Sequence, residues 1–595
     1  LSRRAPLSLL ASPTRIAALI PTRIQRRTVG EIDGDWPQAM HPGLRRIYAA
    51  RGIVHFAEIE HRLAAMASPA ALGGIEEACV LLASAIRENR QIVIVGDFDC
   101  DGASGTAVAV RGLRLLGAQR VDYRVPNRQV HGYGLSTALV ATLLEPPPEL
   151  IVTVDNGIAS IAGVAAARAR GIDVLVTDHH LPGPVLPAAN AIVNPNLDGD
   201  RFPSKAIAGV GVMFCILVAL RAHLRDEGWF ADGRAEPDLG VLLDLVALGT
   251  VADLVALDFN NRVLVEAGLK RIRAQRACAG ILALLRVSGR DAKSLVPADL
   301  GFAVAPRINA AGRLEDMALG IECLLSDDPA QAEELAARLS AINTERREVQ
   351  ASMIEQGEAA VSRWIATHGQ QQLPCGLTLF EPDWHPGVVG LVASRLKDRL
   401  HRPVVACAPA SEGSSEVRAS ARSIRGIHVR DMLAEVDVRK PGLIQRFGGH
   451  AMAAGLTLDR AGIAEFAAEF DAVVRARAAA DLFEPVLLSD GELAEDDFTL
   501  DLARELRFAG PWGQGFAEPM FDNAFELESW RLVGTRHWKL RLRPCGHAGP
   551  VDAMLFNAEP GTTPPALFRA AYQLDINEWN GRESLQLILR HLEPG

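Results

Sequence analysis

The sequence predicts an α/β chain of several domains: a parallel-sheet domain, a long linking helix, a second α/β domain and a closing β-barrel. Three observations carry this prediction. The chain has 595 residues, too many for one ordinary core and enough for about two to four domains. Its first third holds short β-branched runs that each end in acidic or polar residues, with alanine-rich stretches between them. Its last stretch, after about Pro485, holds short alternating runs separated by turn residues.

The first strands read as follows. QIVIVG at residues 91–96 runs into Asp97, LIVTV at 150–154 into Asp155, and IDVLVT at 172–177 into Asp178, His179 and His180. None alternates cleanly, as expected of strands buried on both faces. Helical stretches such as residues 160–170 lie between them, which is βαβ grammar and implies a parallel sheet. Open α/β sheets place their sites at the carboxyl ends of such strands. Residues 329–368 read as one helix, with Leu335, Leu339, Ile342, Val349 and Met353 near helical spacing. A second α/β segment follows, holding WHPG at 384–387 and FGGH at 447–450. The runs at 538–543 and 584–589 alternate or nearly so, which suggests a small barrel.

Composition narrows the function classes. The chain is 49% apolar with a formal net charge of −10, so no global basic field advertises a nucleic-acid partner. Arginine dominates the basic residues and suits bidentate phosphate grips, although base composition of the gene explains the bulk of it. Eight cysteines are scattered without a CxxC, which implies neither a zinc ribbon nor a disulfide framework. A reducing cytoplasm is the expectation. The longest apolar run, residues 207–220, is too short to span a bilayer, and no membrane association is expected. Residues before Glu31 carry six arginines and no acid, in the manner of a transit peptide. A disordered basic extension over residues 1–40, or translation from an upstream start, is the preferred expectation.

The strongest local signal is GDFDCDG at 96–102. If the chain is extended there, Asp97, Asp99 and Asp101 share one face. Three close carboxylates repel one another unless cations neutralise them, and hard divalent cations prefer oxygen ligands. An acidic surface turn is the bland alternative. His179 and His180 add imidazole, and mixed carboxylate and imidazole suits Mn²⁺ or Zn²⁺ better than Ca²⁺. Asp155 and Asp253 complete the set, with helix capping as the bland reading of Asp253. Cys100 is expected to pack on the opposite face. Two bridged cations would lower the pKa of a bound water from 15.7 toward roughly 7 and clamp the attacking and leaving oxygens. No Walker loop, nucleophile elbow or dinucleotide fingerprint supports a competing chemistry.

These motifs, in this order, resemble the DHH phosphoesterase superfamily and, within it, the RecJ family of bacterial single-strand-specific 5′→3′ DNA exonucleases. The resemblance runs from about His41 to about Leu592. It includes GDFDCDG (96–102), VPNR (125–128), GYGLS (132–136), VTVDNGI (152–158), VTDHHLPG (176–183), NPN (194–196), LGTVAD (248–253) and PRINAAGR (306–313). WHPGVVG (384–390), FGGHAMAAGL (447–456) and GPWGQ (510–514) continue it. The resemblance implies a DHH domain over 41–328, a linking helix over 329–368, a DHH-associated domain over 369–484 and an OB-like nucleic-acid-binding domain over 485–595. It implies two Mn²⁺ or Mg²⁺ ions on Asp99, Asp101, Asp155, His179 and Asp253, with Asp155 bridging and Asp97 close behind. It makes His180 an orienting or phosphate-contacting group, and Arg307, Asn309 and His450 phosphate contacts. Arg128, Ser420 and Arg422 would form a 5′-phosphate pocket. Trp512, Phe516 and Trp538 are candidate stacking platforms of the C-terminal domain, with burial in its core the favoured alternative for each.

The implied activity is release of 5′-mononucleotides from single-stranded DNA in repair and recombination, by a cytoplasmic monomer working with a single-strand-binding protein and a helicase. Two departures bear on this. Ala419 and Ala421 stand where the family carries glycines, which restricts positive φ, and Val95 stands where some relatives carry a histidine ligand. The alternatives are a DHH enzyme for short oligonucleotides or cyclic dinucleotides, and an inactive DNA-binding scaffold.

Overall fold

Acid-rich tips on a buried sheet require a fold that covers both sheet faces yet leaves one sheet end open. The computed structural model describes residues 22–32, 35–127, 131–143, 146–231, 233–368, 373–546, 549–558 and 561–594. They form two compact units. One comprises Thr28–Thr344 and Asp501–Pro519, the other Leu1–Arg27, Glu345–Leu500 and Met520–Gly595. The expectation for residues 1–21 lies outside the described residues. For residues 22–32 the expected disorder is corrected: Arg23–Arg26 forms a strand, β1, paired in parallel with Val486–Ser489. The cause is electrostatic. Arg26 donates to Asp522 at 2.9 Å, a buried carboxylate that Arg569 also grips at 2.7 Å. A buried acid needs such partners, and the N-terminal arginine supplies one.

In the first unit, after helices α1 (Pro42–Ala49) and α2 (Ile75–Arg87), Ile92–Val95 (β2) is buried at every position. Asp99 caps α3 (Cys100–Leu115), its side chain accepting from the N–H groups of Asp101 and Gly102. Val121–Arg124 (β3), α4 (Thr137–Thr142), Leu150–Val154 (β4), α5 (Ile161–Arg168), Asp173–Thr177 (β5) and Ala191–Val193 (β6) follow. The parallel sheet has the order β3-β2-β4-β5-β6. The chain therefore reverses direction of addition between β2 and β4, the switch point at which doubly wound sheets open a crevice. Val93, Val95, Ile151, Val174 and Val176 pack with Leu139 and Val140 of α4 and Val164 and Ala167 of α5. α6 (Gly209–Asp226), α7 (Leu243–Ala252), α8 (Phe259–Arg273) and α9 (Ala279–Val287) build the remainder, with α6 and α7 both packed on α3.

The segment 501–519 returns to this unit. Trp512 is 5% exposed and Phe516 2%. Their rings lie 5.0 Å apart, and Tyr48 stacks on Trp512 at 5.9 Å and on Phe516 at 6.4 Å. Arg51 and Arg262 cover the two rings at 5.2 Å and 4.3 Å, and Trp512 Nε1 donates to the Leu506 carbonyl. These rings have no face left for a base. Their assignment as barrel platforms is corrected: they are the core that fastens a late segment to an early one.

The helix Pro329–His368 forms as the periodicity predicts, with residues up to Thr344 in the first unit and those from Glu345 in the second. A mixed sheet of Leu377–Phe380 (β7), Val404–Pro409 (β8), Glu416–Arg422 (β9), Ile444–Gly449 (β10) and Ala453–Asp459 (β11) has the order β10-β11-β9-β8-β7. After β12 (Val486–Ser489), five strands close a barrel: Phe521–Val533 (β13), His537–Pro544 (β14), Val551–Leu555 (β15), Leu567–Trp579 (β16) and Arg582–Pro594 (β17). Trp538, Leu540 and Leu542 point into it and Lys539, Arg541 and Arg543 away. At 5% exposure Trp538 is barrel core, and its assignment as a platform is corrected as well. Among the described residues no single helix is long and apolar enough to cross a membrane.

Truncating a stacked, buried aromatic removes both contact area and filled volume. Trp512→Ala is expected to destabilise the first unit by about 3–5 kcal/mol, read from urea denaturation. Unchanged stability with a loss confined to single-strand affinity would restore the platform assignment.

Candidate metal centre

Two strand ends bring the acids together. Asn156 ties them, its Nδ2 donating to the carbonyls of Val95 in β2 and Val154 in β4, both at 2.9 Å. Asp97 follows β2 and Asp155 follows β4, on either side of the switch point. The acids of GDFDCDG do converge, but not by strand alternation: Asp99 is the N-cap of α3 and Asp101 lies in its first turn. The turn forms because Asp99 bonds its own downstream N–H groups, which an extended chain would leave unmet. Cys100 is buried against Ser104, its thiol pushed up by burial, which makes it a packing residue.

The ligand atoms form overlapping groups, each within 4.8 Å: Asp97, Asp99 and Asp155; Asp101, His179 and Asp253; Asp155, His179 and His180. Asp155 and His179 are each shared by two groups. His179 Nε2 lies 3.0 Å from Asp155 Oδ1 and 3.6 Å from Asp253 Oδ2. Asp155 thus belongs both to a group of carboxylates and to a group with the two histidines. It adopts φ +62, a left-handed conformation that costs a non-glycine residue about 1–3 kcal/mol and gathers at functional sites. A side chain on Gly209 would put its Cβ 2.5 Å from that of Asp155, so only glycine lets α6 begin this close.

The start of α6 is the positive counterpart of the acids. The N–H groups of Gly209 and Val210 donate to Asp101 at 2.7 and 3.0 Å, joining the helix dipole to a carboxylate. Burial, then the charge of Asp99, still push the Asp101 carboxyl up to about 7 against those two donors. Burial, then Asp101 and Asp99, push Asp155 and Asp253 well above the carboxylate range. Asp253 sits at the C-cap of α7. An acid there faces the negative end of the dipole, so capping does not explain it, whereas a cation would.

Asp178, absent from the expected ligand set, orients both histidines. Its Oδ1 accepts from the N–H groups of His179 and His180 and lies 2.7 Å from His180 Nδ1, while Oδ2 accepts from Ile158. Burial opposes its charge, yet the bond to His180 holds it below its ordinary value. For His180, burial likewise opposes the charge, but Asp178 outweighs it and raises the imidazole to about 9. Asn194 donates to the His180 carbonyl and Asn196 to that of His179, so the NPN motif braces the histidine turn. Tyr133 donates to the Asp155 carbonyl at 3.3 Å. The motif strings contained these braces, but without the fold nothing separated them from ordinary loop residues.

Other expected residues fall as follows. Arg307 donates to the Ala303 carbonyl at 2.5 Å and to Ser340 at 3.3 Å. Asn309 Oδ1 accepts from the Cys100 N–H at 2.7 Å, which fixes the acidic turn from beneath. Val95 is fully buried in the sheet core. In the second unit, Arg422 donates to Ser420 Oγ at 2.9 Å. Both side chains stand at Gly390, where an added Cβ would meet Arg422 Nη2 and Ser420 Oγ at 3.0 Å. Gly390 begins the first turn of helix Val389–Leu400, an end suited to anions. Ala419 and Ala421 alternate to the other face and join the core. β9 pairs on both sides and neither alanine has positive φ, so glycine's freedom is not needed there. His450 lies at the turn between β10 and β11, its N–H on the Ala453 carbonyl. Arg128 lies outside the described residues.

This fold and donor set define a DHH-type protein. The DHH family N-terminal domain matches residues 91–250, the DHHA1 domain residues 373–476 and the RecJ OB domain residues 489–591. The single-stranded-DNA-specific exonuclease RecJ of Dickeya dadantii is 51% identical, covering 97% of this chain and 100% of its own. That of Escherichia coli is 48% identical, with 96% and 99% covered. The crystal structure of RecJ in complex with Mn²⁺ from Thermus thermophilus matches at a TM-score of 0.77 and 30% identity, covering 93% of this chain and 76% of that one. The chain belongs to the RecJ family of the DHH proteins.

Relief of repulsion gives a direct test. Asp155→Asn removes one charge, and asparagine tolerates left-handed φ. In EDTA its melting temperature is expected to rise above that of the parent. Mn²⁺ at about a hundredfold over its Kd is expected to add about 2.7 kcal/mol to the parent and far less to the variant. Equal Mn²⁺-dependent shifts in thermal melts would remove Asp155 from the ligand set.

Proposed function

We propose that this chain is a single-strand-specific 5′→3′ DNA exonuclease that releases 5′-mononucleotides in repair and recombination. The observation that carries the reading is the sharing of Asp155 between two ligand groups at the sheet's switch point. The donor set, carboxylates with one imidazole, fits Mn²⁺ or Mg²⁺, and the RecJ relatives bound to each support these ions. Asp97, Asp99 and Asp155 would hold one ion, and Asp101, His179, Asp253 and Asp155 the other. When bound, such a pair would lower the pKa of water at the site and offset the charge that develops on the phosphate.

The chain's own residues do the rest. Asp178 keeps the Nδ1 proton of His180 and so directs Nε2 toward the phosphate or its leaving oxygen. Arg307 offers positive charge to a nonbridging oxygen, and the family resemblance assigns His450 to phosphate contact as well. Asn309 acts by holding the Asp99–Asp101 turn. Direction follows from Ser420 and Arg422, to which the family resemblance adds Arg128, since a terminal 5′-phosphate carries more charge than an internal one and guanidinium grips two oxygens. We place the enzyme in the cytoplasm, as a monomer on strands supplied by a helicase and a single-strand-binding protein. Eight cysteines without disulfides are consistent with a reducing compartment.

Asp155→Asn is expected to lower the exonuclease rate roughly a thousandfold or more at saturating Mn²⁺ with single-strand affinity retained. Near-normal activity would refute the two-ion reading. Arg422→Ala is expected to cut the preference for 5′-phosphorylated over 5′-hydroxyl strands by about ten- to a hundredfold, the worth of one charge-assisted contact. Equal slowing on both substrates, with a lower melting temperature, would make Arg422 a structural residue.

A further inference from the structure

The two helices that carry metal ligands have a second polar region at their far ends. α3 presents Asp99 and Asp101 at its start and Arg111 and Arg114 near its finish, roughly 15–20 Å away at 1.5 Å per residue. α7 runs oppositely, with Asp253 at its C-cap and Asp244 in its first turn. There the first unit has an open-sided cavity of about 440 Å³, lined by Arg111, Arg114, Arg271, Arg276, Asp244 and Asp327 together with leucine and valine side chains.

Four guanidiniums around one space are unexpected in a chain of net charge −10. Arg111 pairs with Asp327 at 2.8 Å. Among the described residues Arg114, Arg271 and Arg276 make no ion pair; Arg114 donates to the Val121 carbonyl and Arg271 to that of Arg276. Arginines answering helix C-terminal dipoles would account for Arg114 and Arg271. They do not account for Arg276, which lies beyond α8 with its side chain exposed. Nor do they account for Asp244, which is 1% exposed. Its Oδ2 accepts from the Cys278 N–H at 2.7 Å, and the charge of Arg271 acts on the same carboxylate. A buried acid needs such a cation, so Arg271 answers Asp244 and the exposed Arg276 is left for an anion.

We propose that this cavity is a second binding site, distinct from the metal centre, for a small molecule of the nucleotide class. The arginines take the phosphate, and the leucine and valine walls take the flat base. A bare anion fits less well: it would leave those apolar walls uncovered, and the volume falls within the usual range for drug-sized ligands. The assignment does not depend on nuclease activity.

The test is calorimetric titration of the full chain in EDTA with deoxyadenosine monophosphate, deoxyadenosine and inorganic phosphate. The monophosphate is expected to bind at one site, with the nucleoside and phosphate each at least tenfold weaker. Arg276→Glu, a change at an exposed side chain, is expected to weaken the monophosphate at least tenfold without lowering the melting temperature. Arg114→Gln is expected to weaken it in the same direction, and Asp155→Asn to leave it unchanged. No binding, binding indifferent to Arg276→Glu, loss in Asp155→Asn, or phosphate as tight as the monophosphate would each overturn the proposal.

Discussion

Repulsion among buried carboxylates is the constraint around which the first unit is arranged. Asp97, Asp99, Asp101, Asp155 and Asp253 occupy one end of a sheet, where low dielectric magnifies every charge. The fold partly offsets this with directed N–H groups. The start of α6 faces Asp101, and the histidine turn faces Asp178. Among the described residues Asp155 receives no such backbone hydrogen bond, and burial with the neighbouring acids holds its carboxyl well above its ordinary range. The protein's own donors thus support the periphery of the cluster and leave its centre for cations.

That division of labour explains which residues are small. Gly209 admits α6 to within contact of Asp155, and Gly249 lets α7 lie over Asp101, where an added Cβ would stand 2.8 Å from Oδ1. Helix ends, rather than strands, set the spacing of the acids. α3 and α7 are rigid rods with a ligand at one end and an arginine-lined cavity at the other, so whatever alters their packing reaches both places.

The sequence made the sheet legible because buried parallel strands leave uninterrupted β-branched runs, as in β2 and β4. The linking helix was legible from its period, and the clustering of acids from the carboxylates that follow β2 and β4. Why Asp99 and Asp101 converge was misread, because an N-cap and a strand tip look alike in a run of alternating acids. The roles of Asp178, Asn156 and Asn196 depend on contacts between loops far apart in the chain, which no local pattern encodes. Trp512, Phe516 and Trp538 left two readings open for a related reason. Aromatics near a nucleic-acid-binding module suit stacking and burial equally well, and only the partner, Tyr48 for the first two and the barrel interior for the third, decides between them.

The return of residues 501–519 to the first unit bears on the order in which the protein is made. Tyr48, Arg51 and Leu257 leave the ribosome long before Trp512, Gln514 and Phe516 arrive to complete their packing. A nascent chain that already contains every candidate metal ligand is still missing a wall of the unit that holds them. Premature termination before residue 519 would leave that wall open and expose Tyr48. The molecule thereby ties the completion of its acid-bearing unit to the synthesis of a segment that follows the long helix and the mixed sheet in the chain.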